Sequence, residues 1–156
     1  MIARLLLLFF ISHSFFAFAQ NSPTTSVDSV ISLNNEQVNL TRFDMSYFID
    51  KTGKMTLSQI QNQTFTASKN ELTLGTNAKT TWSKITVKNN DSDTLRLFIH
   101  NPDAYHLEEV GFYETHNGQL INQSEIQLDT SGPKANMFGG SAVFSFYIAP
   151  QQQKTI

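Results

Sequence analysis

Residues 81–103 read TWSKITVKNNDSDTLRLFIHNPD, and this stretch decides the fold class. It contains two short alternating runs, one with Trp82, Ile85 and Val87 and the other with Leu95, Leu97 and Ile99. Each is about the length of one β-strand. Asn89, Asn90, Asp91 and Ser92 supply turn chemistry between them, and Asn101-Pro102-Asp103 closes the second. Period two sends alternate side chains to opposite faces, so both runs read as half-buried strands. Trp82 is out of phase with Ile85 and Val87. That phase predicts either a change of face at a bulge or a Trp on the less buried side, with core packing favoured over ligand stacking.

The same pattern extends both ways along the chain. Val38 with Leu40, then Met45, Tyr47, Phe48 and Ile49, then Val110, Phe112 and Tyr113, then Val143, Phe144, Phe146 and Ile148 form further runs. Turns are expected at Lys51-Thr52-Gly53-Lys54, Leu74-Gly75-Thr76-Asn77, His116-Asn117-Gly118 and Gly139-Gly140-Ser141. One segment differs: Thr56 can cap a short helix on which Leu57 and Ile60 share a face. Many short strands between frequent turns, with one short helix, predict an all-β antiparallel sandwich. Neither a repeat nor a heptad seam is present, which removes solenoid, propeller and coiled-coil folds.

The first 19 residues read as a signal peptide. Arg4 is followed by an apolar run over 5–11, and Ala17-Phe18-Ala19 has the small-x-small pattern of a cleavage site. Removal takes one cation and no anion, leaving 10 basic and 13 acidic residues, net -3. Residues 20–35 read as a flexible leader and 36–156 as the domain. The end of the chain, Ala149 to Ile156, reads as a strand end, a polar turn and the opening of another strand, so a fragment with a truncated C-terminal strand is expected.

Composition narrows the chemistry. With 156 residues the chain holds one ordinary domain. Zero Cys excludes disulfides, thiolate zinc or iron–sulfur sites and a cysteine nucleophile. A net charge of -2 with dispersed basic residues gives no basis for binding nucleic acid. His100 and His106 flank Asp103, but no familiar metal spacing occurs, and no metal or cofactor is expected. Gly140-Ser141 lacks the G-x-S-x-G context, and Glu108 and Glu109 point to opposite faces of a strand, so no catalytic residue is assigned. Asp50 to Lys54 begins like a calcium loop, but Met55 and Gln61 stand where Gly and Glu are needed, so it reads as a turn. A binding surface is the remaining option, and Tyr105 beside the Pro102-Asp103 turn is the better exposed aromatic candidate.

The order of motifs resembles the type 2 extracellular domain of the seven-transmembrane receptors with diverse intracellular signalling modules. Tyr47 to Leu57 resembles that family's Y-x-x-D-x-x-G-x-L-T-L strand, turn and helix start, with Phe65 following as its aromatic. Leu72-Thr73-Leu74-Gly75 resembles its L-N-L-G, and Trp82 to Asn89 its W-x-R-F-x-L-x-N, with Lys84 where the family often carries Arg. Asn101-Pro102 and Leu107 to Tyr113 resemble its N-P and I-D-x-V-x-L-Y elements. The resemblance implies a jelly-roll sandwich similar to carbohydrate-binding modules, on the periplasmic or extracellular face of a bacterial inner membrane. It implies a sensory, non-enzymatic role ahead of seven transmembrane helices and a histidine kinase or diguanylate cyclase output. The expected partner is a small-molecule ligand, with sugars the favoured class. Candidate contacts are Trp82, Lys84, Asn101, Asp103, Tyr105 and His106. The alternative is a stand-alone secreted carbohydrate-binding or adhesion module.

Overall fold

The computed structural model of the chain describes residues 29–34, 39–74, 78–129, 131 and 134–156. The signal peptide, the leader up to Asp28, Asn35, the run at Val38 and the turn at 75–77 lie outside the described residues.

The described residues form three sheets. Sheet I has the order β1 (Val30–Leu33), β5 (Thr86–Asn89), β11 (Gln153–Thr155), β7 (Glu109–His116), β8 (Gln119–Gln127). Sheet II is β6 (Leu95–Asn101), β10 (Ser141–Ile148), β9 (Met137–Phe138), and sheet III is β3 (Thr66–Lys69), β2 (Asp44–Asp50), β4 (Thr80–Lys84). Every pairing is antiparallel except β1 with β5. Sheets I and II form the sandwich, and the chain crosses between them at β5–β6, β6–β7, β8–β9 and β10–β11.

The core lies between the two inner faces. Leu33, Val87, Phe112 and Ile126 from sheet I meet Ala142, Phe144, Phe146 and Ile148 from β10. Phe112 stacks on Phe144 with ring centroids 5.1 Å apart and tilts against Phe146 at 6.0 Å. The fully buried Asn89 ties the β5–β6 turn to this core. Its amide donates to the carbonyls of Asp93 (2.7 Å) and Ile148 (3.1 Å), and its Oδ1 accepts from the Asp91 amide (2.9 Å). A buried side-chain amide with its donors and acceptor matched holds a turn without a desolvation penalty.

The phase break at Trp82 has a structural cause. Residues 80–89 are continuous in sequence, yet β4 belongs to sheet III and β5 to sheet I, with the change at Ile85. Ile85 exchanges both backbone hydrogen bonds with Ile156, each 2.9 Å, just beyond the β11 pairing. Face and sheet therefore switch together, as a bulge-like irregularity requires.

Sheet III carries a smaller core of its own. Ile60 from α1 (Leu57–Ile60) and Phe65 are buried, and Phe48 lies 6.1 Å from Phe65, ring to ring. Thr56 opens α1, its backbone N–H donating to Gln59 Oε1 at 2.8 Å. The turn before the helix is organised by Asp50, which is 1% exposed. Its Oδ1 accepts from the Thr52 amide (2.8 Å) and hydroxyl (2.6 Å), and its Oδ2 from the amides of Lys54 (2.9 Å) and Met55 (2.8 Å). These donors, the Thr52 hydroxyl foremost, pull the carboxyl from 3.8 down to about 2 against the opposing effect of burial. Because the folded value is depressed, the carboxylate stabilises the fold above the unfolded value and the contribution fades as pH falls through about 2. Asp50→Asn should therefore be less stable than wild type at neutral pH, and the gap should narrow on acidification towards pH 2, as read by urea unfolding at stepped pH. A gap independent of pH would show that the ionised carboxylate is not the anchor.

Two sequence readings need correction. Val30–Leu33, placed in the leader, form β1, which pairs in parallel register with β5 from Val30↔Thr86 to Leu33↔Asn89. His116, expected to be solvated at a loop tip, is half-buried and its Nδ1 lies 3.2 Å from the Gln153 carbonyl. The β7–β8 hairpin itself turns at Asn117-Gly118, with φ of 50° and 74°, the two positive values that a two-residue primed turn demands.

Candidate functional site

The six sequence-predicted contacts fall into two groups on different sheets. Trp82 and Lys84 belong to β4 in sheet III. Trp82 packs on Tyr113 with ring centroids 5.4 Å apart, and its indole Nε1 is buried with no hydrogen-bond partner among the described residues. The Lys84 ammonium sits 4.6 Å above the Phe65 ring. Tyr113 in turn lies across Gly111, where a Cβ would stand 2.8 Å from Tyr113 Cε2, and it donates a 2.8 Å hydrogen bond to Glu125. Burial, helped by that carboxylate, pushes the Tyr113 phenol up to about 12. Trp82 and Lys84 are thus both engaged in packing contacts and both only partly buried.

Asn101, Asp103, Tyr105 and His106 do come together. β6 ends at Asn101, whose Oδ1 accepts from the Asp103 amide at 3.2 Å, and the 3₁₀ turn Ala104–His106 follows. Ala104 is fully buried and fixes this turn against the core, while Tyr105 is left 59% exposed. The Tyr105 amide donates to the Gly140 carbonyl at 3.0 Å, and its ring lies beside Gly140 in the β9–β10 turn. The His106 ring is tilted by 40° against Tyr105, with 3.8 Å between centroids. The result is an exposed aromatic pair on a turn that also carries Asn101 and Asp103, at one end of sheet II.

The outward face of sheet II continues from that end, and the sequence reading missed it. The register Ala142↔Asn101 through Ile148↔Leu95 puts Leu95, Leu97 and Ile99 inside with Phe144, Phe146 and Ile148. Arg96, Phe98 and His100 therefore face out beside Tyr147, Ser145 and Val143. Phe98 is 60% and Tyr147 58% exposed. The Arg96 guanidinium carbon lies 5.0 Å from the Phe98 centroid and 5.7 Å from that of Tyr147. The available signal was an aromatic at the polar phase of an otherwise alternating strand. A shallow groove of about 380 Å³ along β8 is lined by residues such as Ser124, Glu125, Lys134 and Asn136 and contains no aromatic side chain.

Chemically, these surfaces can stack on rings and hydrogen-bond to polar groups. No group of three His, Asp or Glu side chains suited to a metal occurs among the described residues. No helix among them is long and apolar enough to cross a membrane.

Comparison with curated proteins gave no match, and comparison with solved structures gave none. A family model does match, over residues 43–156, from the start of sheet III to β11. Its description is 7TMR-DISM extracellular 2, which agrees with the motif order, with the all-β fold and with an outward-facing sensor role. The chain therefore belongs to the 7TMR-DISM extracellular 2 family, the extracellular sensor domains of membrane receptors.

Proposed function

We propose that this chain is the ligand-sensing input domain of a bacterial signal-transduction receptor, exported by its first 19 residues and held on the periplasmic side of the inner membrane. The ligand is a carbohydrate or a similar hydroxyl-rich small molecule, bound without covalent chemistry. The sandwich is read as a jelly-roll similar to carbohydrate-binding modules, and the output as a histidine kinase or a diguanylate cyclase beyond a seven-helix membrane region. Ligand binding would favour one of two receptor states through its differential affinity for them.

The observation that carries this reading is Tyr105, 59% exposed, with the His106 ring tilted against it at 3.8 Å between centroids, on the turn that also carries Asn101 and Asp103. An aromatic face with amide and carboxylate groups at its rim suits a sugar ring, whose C–H face stacks while its hydroxyls are hydrogen-bonded. In a thermal-shift screen of mono- and oligosaccharides, at least one should raise the unfolding midpoint, because a ligand that binds only the folded state stabilises it. Tyr105→Ala should remove that rise and leave the ligand-free midpoint nearly unchanged. A screen in which no sugar moves the midpoint, or in which the rise survives Tyr105→Ala, counts against the reading.

A further inference from the structure

We propose that the outward face of β6 and β10 binds an acidic saccharide, with Arg96 receiving a uronate carboxylate and Phe98 and Tyr147 stacking on neighbouring sugar rings. This rests on the sugar-sensing reading above and adds to it the ligand's charge class and a second set of contacts.

The first argument is charge. The outward positions of the two paired strands are Arg96, Phe98, His100, Val143, Ser145 and Tyr147, and none is acidic. The whole chain is net -2, so a cationic face without a carboxylate does not follow from composition. Among the described residues Arg96 has no carboxylate partner; Ser145 Oγ, at 3.5 Å, is its hydrogen-bond contact. The guanidinium carbon lies over both rings, and these cation–π contacts use none of its N–H groups in a conventional hydrogen bond, which leaves most of its donors for a ligand. A planar guanidinium fork takes a carboxylate in bidentate fashion, which a lysine cannot do.

The second argument is the spacing of apolar surface. Tyr147 stands opposite Arg96 and Phe98 opposite Ser145, so the two aromatic rings are diagonal neighbours. Such neighbours are about 7–8 Å apart, within reach of two rings of a short glycan. Arg96 and Ser145 interrupt the apolar area between them. A protein partner would instead be met by a continuous apolar centre with a polar rim. The rings are also well exposed on a sheet face rather than in a pocket, which suits a chain-like ligand lying across the strands.

The test is isothermal titration of the exported chain with a galacturonic acid trimer and, separately, a neutral galactose trimer. The acidic trimer should bind about tenfold more tightly at low salt, the scale of one charge-assisted contact. Arg96→Gln should remove that preference, while Phe98→Ala and Tyr147→Ala should weaken the acidic trimer by about tenfold each. All three side chains are exposed, so unfolding midpoints should stay near wild type. Equal affinity for both trimers, or a preference that survives Arg96→Gln, overturns this inference. If the neutral trimer binds and Tyr105→Ala abolishes it while the acidic trimer shows no advantage, the sugar-sensing reading stands and only this inference falls. If a folded chain binds neither trimer, this inference falls, and the broader reading then stands or falls on the thermal-shift screen. Capture of a polyglutamate peptide in an Arg96-dependent manner, with no saccharide bound, also overturns it.

Discussion

Glu114→Ala is expected to cost about 3–5 kcal/mol of stability, the penalty for stranding one partner of a buried ion pair. Glu114 in β7 and Lys154 in β11 pair with side-chain exposures of only 6% and 10%. The Lys154 ammonium also donates to the Tyr147 carbonyl at 2.6 Å, so one side chain joins β7, β10 and β11. Asn122 Nδ2 approaches Glu114 Oε2 at 3.5 Å from β8. Removing the carboxylate leaves a buried ammonium with a single carbonyl partner, which water cannot readily replace. Since a domain of this size has about 5–15 kcal/mol in total, a large part of it is at stake. The double variant Glu114→Leu/Lys154→Met should regain most of the loss, because paired replacement by apolar groups removes both desolvation costs. Urea unfolding of wild type, Glu114→Ala and the double variant measures this; a Glu114→Ala protein within about 0.5 kcal/mol of wild type would mean the pair is solvated.

Phe144→Ala should cost a similar amount, about 3–5 kcal/mol, through lost burial and the cavity left behind. Phe144 is 4% exposed at the centre of β10 and stacks on Phe112 across the sandwich. Its removal separates the two inner faces where sheets I and II meet, so the loss should appear as a lower denaturation midpoint with an unchanged slope. Phe98→Ala, on the same sheet but facing out, is the control. Its 60% exposure predicts a change within about 0.5 kcal/mol. Equal losses at the two positions would contradict the assignment of inner and outer faces.

What the sequence could reveal follows from which residues carry their own signal. β6 and β10 alternate strongly and β2 and β7 carry apolar runs, so all four were legible, as were the Asn117-Gly118 turn and the cap of α1 at Thr56. β8 was not, because in Gln119–Gln127 only Ile126 is buried and the strand is held by its ladder to β7. β11, Gln153–Thr155, falls where the opening of another strand was expected, but its place in the middle of sheet I and the burial of Lys154 against Glu114 were not legible in a polar triplet. β1 depends on a parallel partner more than fifty residues away. Strands defined by their neighbours leave little trace in local sequence.

The candidate surface shows the same limit. The exposure of Tyr105 was legible because a Pro-Asp turn precedes it, and Asn101, Asp103 and His106 flank it in the chain. Trp82 was named as an aromatic and Lys84 as the residue where the resembled family often carries Arg, and both lie on sheet III, in contact with Tyr113 and Phe65 and away from the Tyr105 turn. Phe98 and Tyr147 were hidden inside apolar runs. Only the β6–β10 register separates the inner Leu97 and Phe146 from the outer Phe98 and Tyr147.

The central claim is that this domain holds a saccharide on the exposed side of sheet II and leaves it chemically unchanged. Incubating the chain with the saccharide that most raises its unfolding midpoint, then recovering that saccharide by chromatography, tests this together with the variant Phe98→Ala/Tyr105→Ala. The account predicts an intact saccharide, a midpoint rise in wild type, and no rise in the double variant despite an unaltered ligand-free midpoint. A shortened or modified saccharide, or a rise that persists in the double variant, would contradict it.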